Sequence, residues 1–249
     1  MKIAVFGNKP YSERFFRQVN ENFGHELVFY TDRLNEQSVD LAEGSEAVCI
    51  FVNDLCNRKV LQRLKDMGIK LVALRCAGFN NVDVEAAEDL GICVVRVPAY
   101  SPYAVAEHTI GLILALNRRI HLAHSRVREG NFSLEGLMGF DLHDTPVGII
   151  GTGKIGAIVA HILHGFGCEL YAFDPQVNPE CEQLGVRYTA LEEIYKHCRI
   201  ITLHCPLMPQ THHMINQAAV EQMQNGVMLI NTSRGALIDT RAVIGGLKS

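Results

Sequence analysis

The sequence predicts an α/β protein in which helices cover two parallel sheets, and three observations lead to this prediction. Short runs of Val, Ile, Leu and Phe alternate with helix-length segments along the whole chain. Prolines interrupt that alternation near residue 100, and a glycine-rich turn follows the first strand of the second half. Strands that are apolar on both faces and separated by helices are typical of a parallel sheet buried beneath helices.

The first hundred residues contain enough predicted strands for a sheet of their own. The segment AVCIFV, 47–52, is apolar on both faces, and the segments between such strands are long enough for helices. We therefore expect a self-sufficient α/β unit here. The predicted strands are 2–7, 26–30, 47–52, 71–76 and 93–97, and the predicted helices lie near 11–22, 58–67 and 83–90.

The segment RVPAYSPYAVAEHT, 96–109, is predicted to carry the chain from one domain to the next. Pro98 and Pro102 disfavour helix at the residues immediately before them. Ser101 and Pro102 then suit the N-cap and first position of a long helix. The predicted helices are 102–118 and 119–129, and the predicted domains are 1–99 and 100–249.

Strands and helices alternate again in the second half, after a loop that contains NFSLEGL at 131–137. Asp239 is a suitable N-cap for the last helix. The predicted strands are 146–151, 169–174, 186–188, 199–204 and 227–231, and the other predicted helices lie near 154–166, 191–197 and 217–223.

Composition and charge argue against several classes of protein. The net charge is −4 and no cluster of Lys and Arg is present, so no nucleic-acid-binding surface is expected. Apolar runs are far shorter than the roughly 20 residues of a membrane-spanning helix. The eight cysteines form no C-x-x-C pair, which favours reduced thiols in a cytoplasmic protein. The H-x-x-H pairs His121/His124 and His161/His164 lack a third ligand, so no metal is expected.

The glycine-rich turn has the spacing Gly151-x-Gly153-x-x-Gly156 between an apolar strand and an amphipathic helix. That context is typical of a Rossmann-type dinucleotide-binding unit. The first glycine makes the tight turn, the second lets the backbone approach a pyrophosphate, and the third lets the helix pack closely. Lys154 and Ile155 open the helix, where free N–H groups would bind the phosphates.

Asp174 indicates which dinucleotide is bound. It ends the next strand, 18 residues after the last glycine, and can accept hydrogen bonds from an adenosine ribose. A carboxylate there would repel a 2′-phosphate, and Pro175 and Gln176 offer no cation to receive one. The sequence therefore predicts NAD as the cofactor.

The loops that leave the two later strands, LHCPL at 203–207 and INTSRG at 230–235, complete the predicted site. In open parallel sheets, ligands bind at the carboxyl ends of the strands. Arg234 would face the substrate, since its planar guanidinium can bind a carboxylate with two parallel hydrogen bonds. The predicted cofactor contacts in these loops are Cys205, Pro206, Thr232 and Ser233.

The whole chain resembles the D-isomer-specific 2-hydroxyacid dehydrogenase family, and most closely its bacterial lactate-type members. The resemblance is specific because the matching segments are long. They are RCAGFNNVD (75–83), VRVPAYSPYAVAEH (95–108), NFSLEGL (131–137), VGIIGTGKIG (147–156), LHCPL (203–207) and GVMLINTSRGALID (226–239).

The resemblance implies a role for each domain and for particular residues. The N-terminal domain would be a flavodoxin-like substrate domain, in which backbone N–H groups at Ala77 and Gly78 hold the substrate carboxylate. Arg234 would bind that carboxylate and polarise the carbonyl, and Tyr100 would line the substrate pocket. Members of the family are commonly homodimers, and the segment around 118–140 would form the interface.

The implied reaction is the reversible reduction of pyruvate to D-lactate by NADH. In the family, a histidine paired with a glutamate donates the proton, and both follow the segment that matches TSRG. No residue of 1–249 matches either one, so we expect a longer parent protein and little activity from these residues alone. Two alternatives stay open, namely a bulkier 2-keto acid as substrate and a non-catalytic NAD-binding regulatory protein of the same fold.

Overall fold

The computed structural model describes residues 1–248, and the chain divides into two compact units, Met1–Tyr100 and the part from Ser101 onward. Each unit contains a five-stranded parallel sheet together with helices. The predicted α/β fold class is therefore confirmed.

Unit 1 has the strand order β2-β1-β3-β4-β5, which is the order of flavodoxin-like sheets. A short 3-10 helix, Val39–Ala42, precedes the central strand and was not predicted. The strands are β1 Lys2–Val5, β2 Glu26–Phe29, β3 Ala47–Ile50, β4 Leu71–Leu74 and β5 Cys93–Arg96; the helices are α1 Pro10–Asn20, α2 Arg58–Asp66 and α3 Val84–Asp89.

The core of unit 1 lies between its sheet and the helices α2 and α3. Val48 and Ile50 of the central strand are completely buried, as are Leu61 and Leu64 of α2. Asn57 and Asp83 cap these two helices with their side chains, which accept from backbone N–H groups in the first turn.

Unit 2 has the strand order β10-β9-β6-β7-β8. Counted within the unit, this is the 3-2-1-4-5 arrangement of Rossmann sheets, in which the order reverses between β6 and β9. The strands are β6 Pro146–Ile150, β7 Glu169–Phe173, β8 Arg187–Tyr188, β9 Ile200–Leu203 and β10 Met228–Asn231; the helices are α4 Pro102–Asn117, α5 Ile120–Arg128, α6 Lys154–Gly165, α7 Pro179–Gln183, α8 Leu191–His197, α9 Gln217–Gln222 and α10 Thr240–Gly246.

Both faces of the unit 2 sheet are covered by apolar side chains. Val147 and Ile149 of β6 pack in one cluster with α4 and α6. Ile150 belongs to the opposite cluster, which includes residues of α8 and α9. Burial on both faces explains why these strands read as nearly continuous apolar runs.

Several predicted details of unit 2 are confirmed, and others were missed. Ser101 caps α4 by accepting from the N–H of Ala104, and Asp239 caps α10. The helix α7 and a 3-10 helix, Gly235–Leu237, were not predicted because each is too short to show a period. Gly246 in α10 has a packing role, since a Cβ there would lie 2.7 Å from Val220.

No helix within residues 1–248 is long and apolar enough to cross a membrane. All eight cysteines lie in this range, and none of them is in a disulfide. The same residues contain no group of three or more His, Cys, Asp or Glu side chains placed to hold a metal ion.

Candidate active site

Four neighbouring strands of unit 2 end at the same level, which brings their loops together. Ile150, the last residue of β6, is the register partner of Phe173 in β7 and of Leu203 in β9. Leu203 is in turn the partner of Asn231, the last residue of β10. The glycine turn, Asp174 and the loops 204–206 and 232–234 therefore leave the sheet at one edge.

The three motif glycines differ in what surrounds them. Gly151 has a φ of +96°, and a Cβ there would lie 2.6 Å from the backbone nitrogen of Cys205. A Cβ at Gly156 would lie only 1.9 Å from the carbonyl oxygen of Gly151. A Cβ at Gly153 would meet nothing within 4 Å. Gly151 and Gly156 are therefore required by the fold, whereas Gly153 keeps a space open at the N-terminus of α6.

The backbone N–H groups at the N-terminus of α6 are available to bind an anion. No side chain caps α6, whose N-cap is Gly153. The N–H groups of Gly153, Lys154, Ile155 and Gly156 have no hydrogen-bond acceptor among the described residues. Unpaired N–H groups and the positive end of a 12-residue helix bind phosphate well. The residues present therefore fit the pyrophosphate of a dinucleotide.

Asp174 is half-buried and is held by backbone groups at the end of β7. Its Oδ2 accepts from the N–H of Thr152 at 2.7 Å, and its Oδ1 accepts from the N–H of Gln176 at 2.9 Å. Each carboxylate oxygen retains a further lone pair, so the group can still accept from ribose hydroxyls.

A partly buried network beneath the glycine turn fixes Thr152. The hydroxyl of Tyr188 donates to Thr152 Oγ1 at 2.9 Å, and Asn178 Nδ2 donates to the Thr152 carbonyl at 2.8 Å. Burial raises the pKa of Tyr188, which keeps its hydroxyl protonated and able to donate. Sequence reasoning missed Thr152, Tyr188 and Asn178, although Thr152 lies inside the glycine motif.

The first residues of the loop after β9 are largely buried, with Cys205 buried and His204 half-buried. Burial lowers the pKa of His204 to about 4, so its ring is neutral at pH 7. The Cys205 thiol donates to the sulfur of Met214 at 3.5 Å, and Pro206 is exposed. The thiol therefore points into the core, and a contact of Cys205 with the cofactor stays a prediction.

The loop after β10 is tied to two neighbouring elements. The hydroxyl of Thr232 lies 2.9 Å from that of Thr109 in α4. Ser233 Oγ donates to the carbonyl of Cys205 at 2.8 Å. Asn231 Nδ2 donates to the carbonyl of Arg234 at 2.9 Å, which closes the turn. Sequence reasoning missed Thr109, because it lies in the middle of a predicted helix and no motif marks its hydroxyl.

Arg234 is half-buried and has an extended backbone, with φ −123° and ψ 133°. Its Nη1 donates to the carbonyl of Ser233 at 3.3 Å. None of the ion pairs within residues 1–248 includes Arg234, so its guanidinium can bind an external carboxylate.

A cavity of about 480 Å³ lies beside this loop. It combines polar groups of the loop with mainly apolar side chains of α4. The lining residues are Ala104, Val105, His108, Leu112, Asn231, Thr232 and Ser233.

The predicted substrate loop of unit 1 follows β4. Arg75 anchors its start by donating to the carbonyls of Phe6 at 3.0 Å and Gly7 at 2.9 Å. Ala77 and Gly78 follow after the buried Cys76 and are half-buried. Their N–H groups have no acceptor among the described residues. Tyr100, the last residue of unit 1, is 68% exposed.

Comparisons with known proteins identify the family. A family model for the NAD binding domain of D-isomer specific 2-hydroxyacid dehydrogenases matches residues 110–249. A 2-hydroxyacid dehydrogenase homolog from Haemophilus influenzae is 56% identical over 248 residues, covering 100% of this chain and 75% of that protein. The chain belongs to the D-isomer specific 2-hydroxyacid dehydrogenase family. It is a dehydrogenase with an NAD-binding domain, and its relatives act on small 2-hydroxy acids.

Solved structures place the chain close to bacterial D-lactate dehydrogenases. The apo structure of D-lactate dehydrogenase from Escherichia coli matches with a TM-score of 0.91 at 55% identity, covering 100% of this chain and 78% of that one. A D-lactate dehydrogenase from Aquifex aeolicus, complexed with NAD and lactic acid, matches with a TM-score of 0.87 at 32% identity, covering 99% and 73%.

The histidine–carboxylate pairs of the described residues lie away from Arg234. His143 pairs with Asp144 at 2.9 Å, and His197 pairs with Glu193 at 3.0 Å. Both histidines precede strands, so they lie at the amino edge of the sheet, whereas Arg234 follows a strand. Neither pair can deliver a proton beside Arg234.

Proposed function

We propose that this dehydrogenase reduces pyruvate to D-lactate with NADH, and that the reaction is reversible. The observation that carries the proposal is the guanidinium of Arg234, which forms no ion pair among the described residues and lies at the same edge of the sheet as an open dinucleotide cradle. A 2-keto acid offers the carboxylate that such a group binds. The 55% identity to the Escherichia coli D-lactate dehydrogenase supports pyruvate as the substrate.

In this proposal, the N-terminus of α6 holds the pyrophosphate of the cofactor. Asp174 accepts hydrogen bonds from the hydroxyls of the cofactor's adenosine ribose. The cavity beside Thr232 and Ser233 takes the nicotinamide, since an amide-bearing ring needs both apolar contacts and hydrogen-bonding groups. When bound, NADH supplies the hydride.

The remaining residues act on the keto acid. Arg234 binds the carboxylate and draws electron density from the carbonyl, which favours addition to its carbon. The N–H groups of Ala77 and Gly78 donate hydrogen bonds to the carboxylate, and Tyr100 lines the pocket. Residues 1–99 then form the substrate domain and 100–249 the NAD-binding domain.

The test is a steady-state assay of the full-length gene product, followed by NADH absorbance. Pyruvate should be reduced, and the product should be D-lactate by chiral analysis. Phenylpyruvate and 2-ketoisocaproate are the comparison substrates. A higher kcat/KM for either of them would assign the enzyme to a bulkier 2-keto acid, and no turnover of any keto acid would favour a regulatory NAD-binding protein.

The polypeptide of residues 1–249 alone should reduce pyruvate slowly or not at all. Its two histidine–carboxylate pairs among the described residues lie at the edge of the sheet opposite to Arg234, so neither pair supplies a proton where the alkoxide forms. NAD binding to the same polypeptide, measured by calorimetry, should persist. Pyruvate reduction at the rate of the full-length gene product would contradict this proposal.

We also propose a homodimer that uses the segment 118–140. This segment exposes large apolar side chains, including Phe132 at 75%, Leu134 at 82% and Met138 at 88%. Such a concentration is characteristic of a protein–protein interface. Leu134→Asp should therefore yield monomers by light scattering, whereas Phe23→Asp, at an apolar residue of unit 1 that is 66% exposed, should leave the dimer intact.

A cytoplasmic location is the final part of the proposal. The eight cysteines, none in a disulfide within the described residues, support a reducing compartment, since disulfides form in exported proteins. Cell fractionation should recover the protein with cytoplasmic markers, and recovery with exported proteins would contradict this assignment.

A further inference from the structure

The loop after β4 has three successive carbonyl oxygens bound by other groups of unit 1. The carbonyl of Cys76 accepts from the N–H of Val97 at 3.3 Å. The carbonyl of Ala77 accepts from Arg96 Nη1 at 2.9 Å. The carbonyl of Gly78 accepts from the Cys76 thiol at 3.2 Å.

These bonds determine where the next N–H groups point. A trans peptide is planar, so its C=O and N–H groups lie on opposite sides. No peptide bond among the described residues is cis. The N–H groups of Ala77, Gly78 and Phe79 therefore point away from the groups that bind the carbonyls. None of the three has an acceptor within residues 1–248, and successive free N–H groups are able to bind an anion where the backbone turns.

Three groups bind these carbonyls, namely the Val97 N–H, the Cys76 thiol and the Arg96 guanidinium, and only Arg96 carries a charge. It is the last residue of β5, and its guanidinium lies 5.2 Å from the centre of the Phe79 ring. One side chain thus contacts the loop twice, through the carbonyl of Ala77 and the ring two residues later. No ion pair within the described part of the chain includes Arg96, so its charge is not neutralised by a neighbour.

We propose that Arg96 is a positioning residue for the carboxylate of the 2-keto acid. By binding the Ala77 carbonyl it turns the N–H of Gly78 outward, and its cation–π contact with Phe79 holds the guanidinium in place. Its positive charge also favours an anion at the loop. This inference rests on the proposed function, since it names the residue that prepares the substrate loop.

The test compares variants of the full-length gene product. Arg96→Met removes the charge and the hydrogen bond to Ala77, whereas Arg96→Lys keeps the charge but loses the planar group. Arg187→Met is the matched control, because Arg187 is also an exposed arginine at an aromatic ring, 5.7 Å from the centre of Tyr171. Each protein is assayed for KM with pyruvate, KM with NADH and kcat, and for inhibition by oxamate.

Arg96→Met should raise the KM for pyruvate and the inhibition constant of oxamate about tenfold, as expected for loss of a charge-assisted hydrogen bond. The KM for NADH should stay unchanged, and Arg187→Met should behave as wild type. Arg96→Lys should recover only part of the pyruvate affinity. Full recovery by lysine would overturn the positioning role, because charge alone would then suffice.

Two further outcomes would also overturn the inference. The first is an unchanged KM for pyruvate in Arg96→Met while wild type reduces pyruvate, which leaves the proposed function standing. The second is an equal rise in KM for pyruvate and NADH, which indicates a general loss of structure. If wild type itself turns over no keto acid, the proposed function and this inference fail together.

Discussion

The hydroxyl groups of Thr109 in α4 and Thr232 in the loop after β10 lie 2.9 Å apart. Thr109 is completely buried and donates to the carbonyl of Val105, so Thr232 is the donor to Thr109. This bond joins the long helix of unit 2 to the loop that carries Arg234. It therefore fixes the loop in one arrangement relative to the cavity.

Replacing Thr109 by valine should destabilise unit 2. The variant keeps the shape but leaves the Thr232 hydroxyl without its acceptor, which costs about 1 kcal/mol. Thr202→Val is the matched control, since the Thr202 hydroxyl is buried with no partner among the described residues. That variant should be neutral or more stable. Urea unfolding of both would check this, and equal losses would contradict the role of the Thr109–Thr232 bond.

Gly153→Ala and Gly156→Ala should separate cofactor binding from folding. A methyl group at Gly153 enters the space where a pyrophosphate would lie, so NADH affinity should fall at least tenfold while the melting temperature stays near wild type. A methyl group at Gly156 meets the Gly151 carbonyl, so the protein should be strongly destabilised. Fluorescence titration with NADH and thermal unfolding measure the two effects. Full NADH affinity in Gly153→Ala would contradict the fit.

Asp174→Ala should reduce the preference for NAD over NADP by roughly tenfold, because it removes the acceptor for the ribose and the repulsion of a 2′-phosphate. The measurement is the ratio of kcat/KM for NADH and NADPH. Glu169→Ala, at the opposite end of the same strand, should leave that ratio unchanged. An unchanged ratio in Asp174→Ala would show that the carboxylate does not contact the ribose.

Arg234→Lys should weaken pyruvate use far more than NADH binding. Lysine keeps the charge but cannot form two parallel hydrogen bonds to a carboxylate, and a loss of about 10²-fold in kcat/KM for pyruvate is expected. Arg199→Lys, at the amino edge of the neighbouring strand β9, should have little effect on pyruvate kinetics. Equal losses of NADH and pyruvate binding in Arg234→Lys would argue against a substrate contact.

The stability of unit 2 should fall as the pH decreases from about 6.5 to 4. Burial lowers the pKa of His204 from 6.5 to about 4, so in this window the unfolded chain binds a proton that the folded chain does not. The resulting loss is roughly 3 kcal/mol by pH 4. His204→Gln should lose stability less steeply over the same window. Parallel curves for wild type and variant would contradict the burial of a neutral histidine.

The sequence determined the fold class, the Rossmann type of the second unit and the position of the glycine turn. These features can be recognised within short segments of sequence. The spacing of apolar residues, the N-cap residues such as Ser101 and the spacing of the glycines all depend on residues that are neighbours along the chain. Asp174 and Arg234 were also accessible from sequence, since a charge at the end of an apolar strand lies at the carboxyl edge of a parallel sheet.

Only the tertiary structure decided which groups support those residues. Thr152 lies 36 positions from Tyr188, and Thr109 lies 123 positions from Thr232. No sequence pattern pairs a hydroxyl with one so distant, because the pairing follows from strand register and helix packing. The same holds for Arg96, whose hydrogen bond to Ala77 exists because β4 and β5 are neighbours in the sheet.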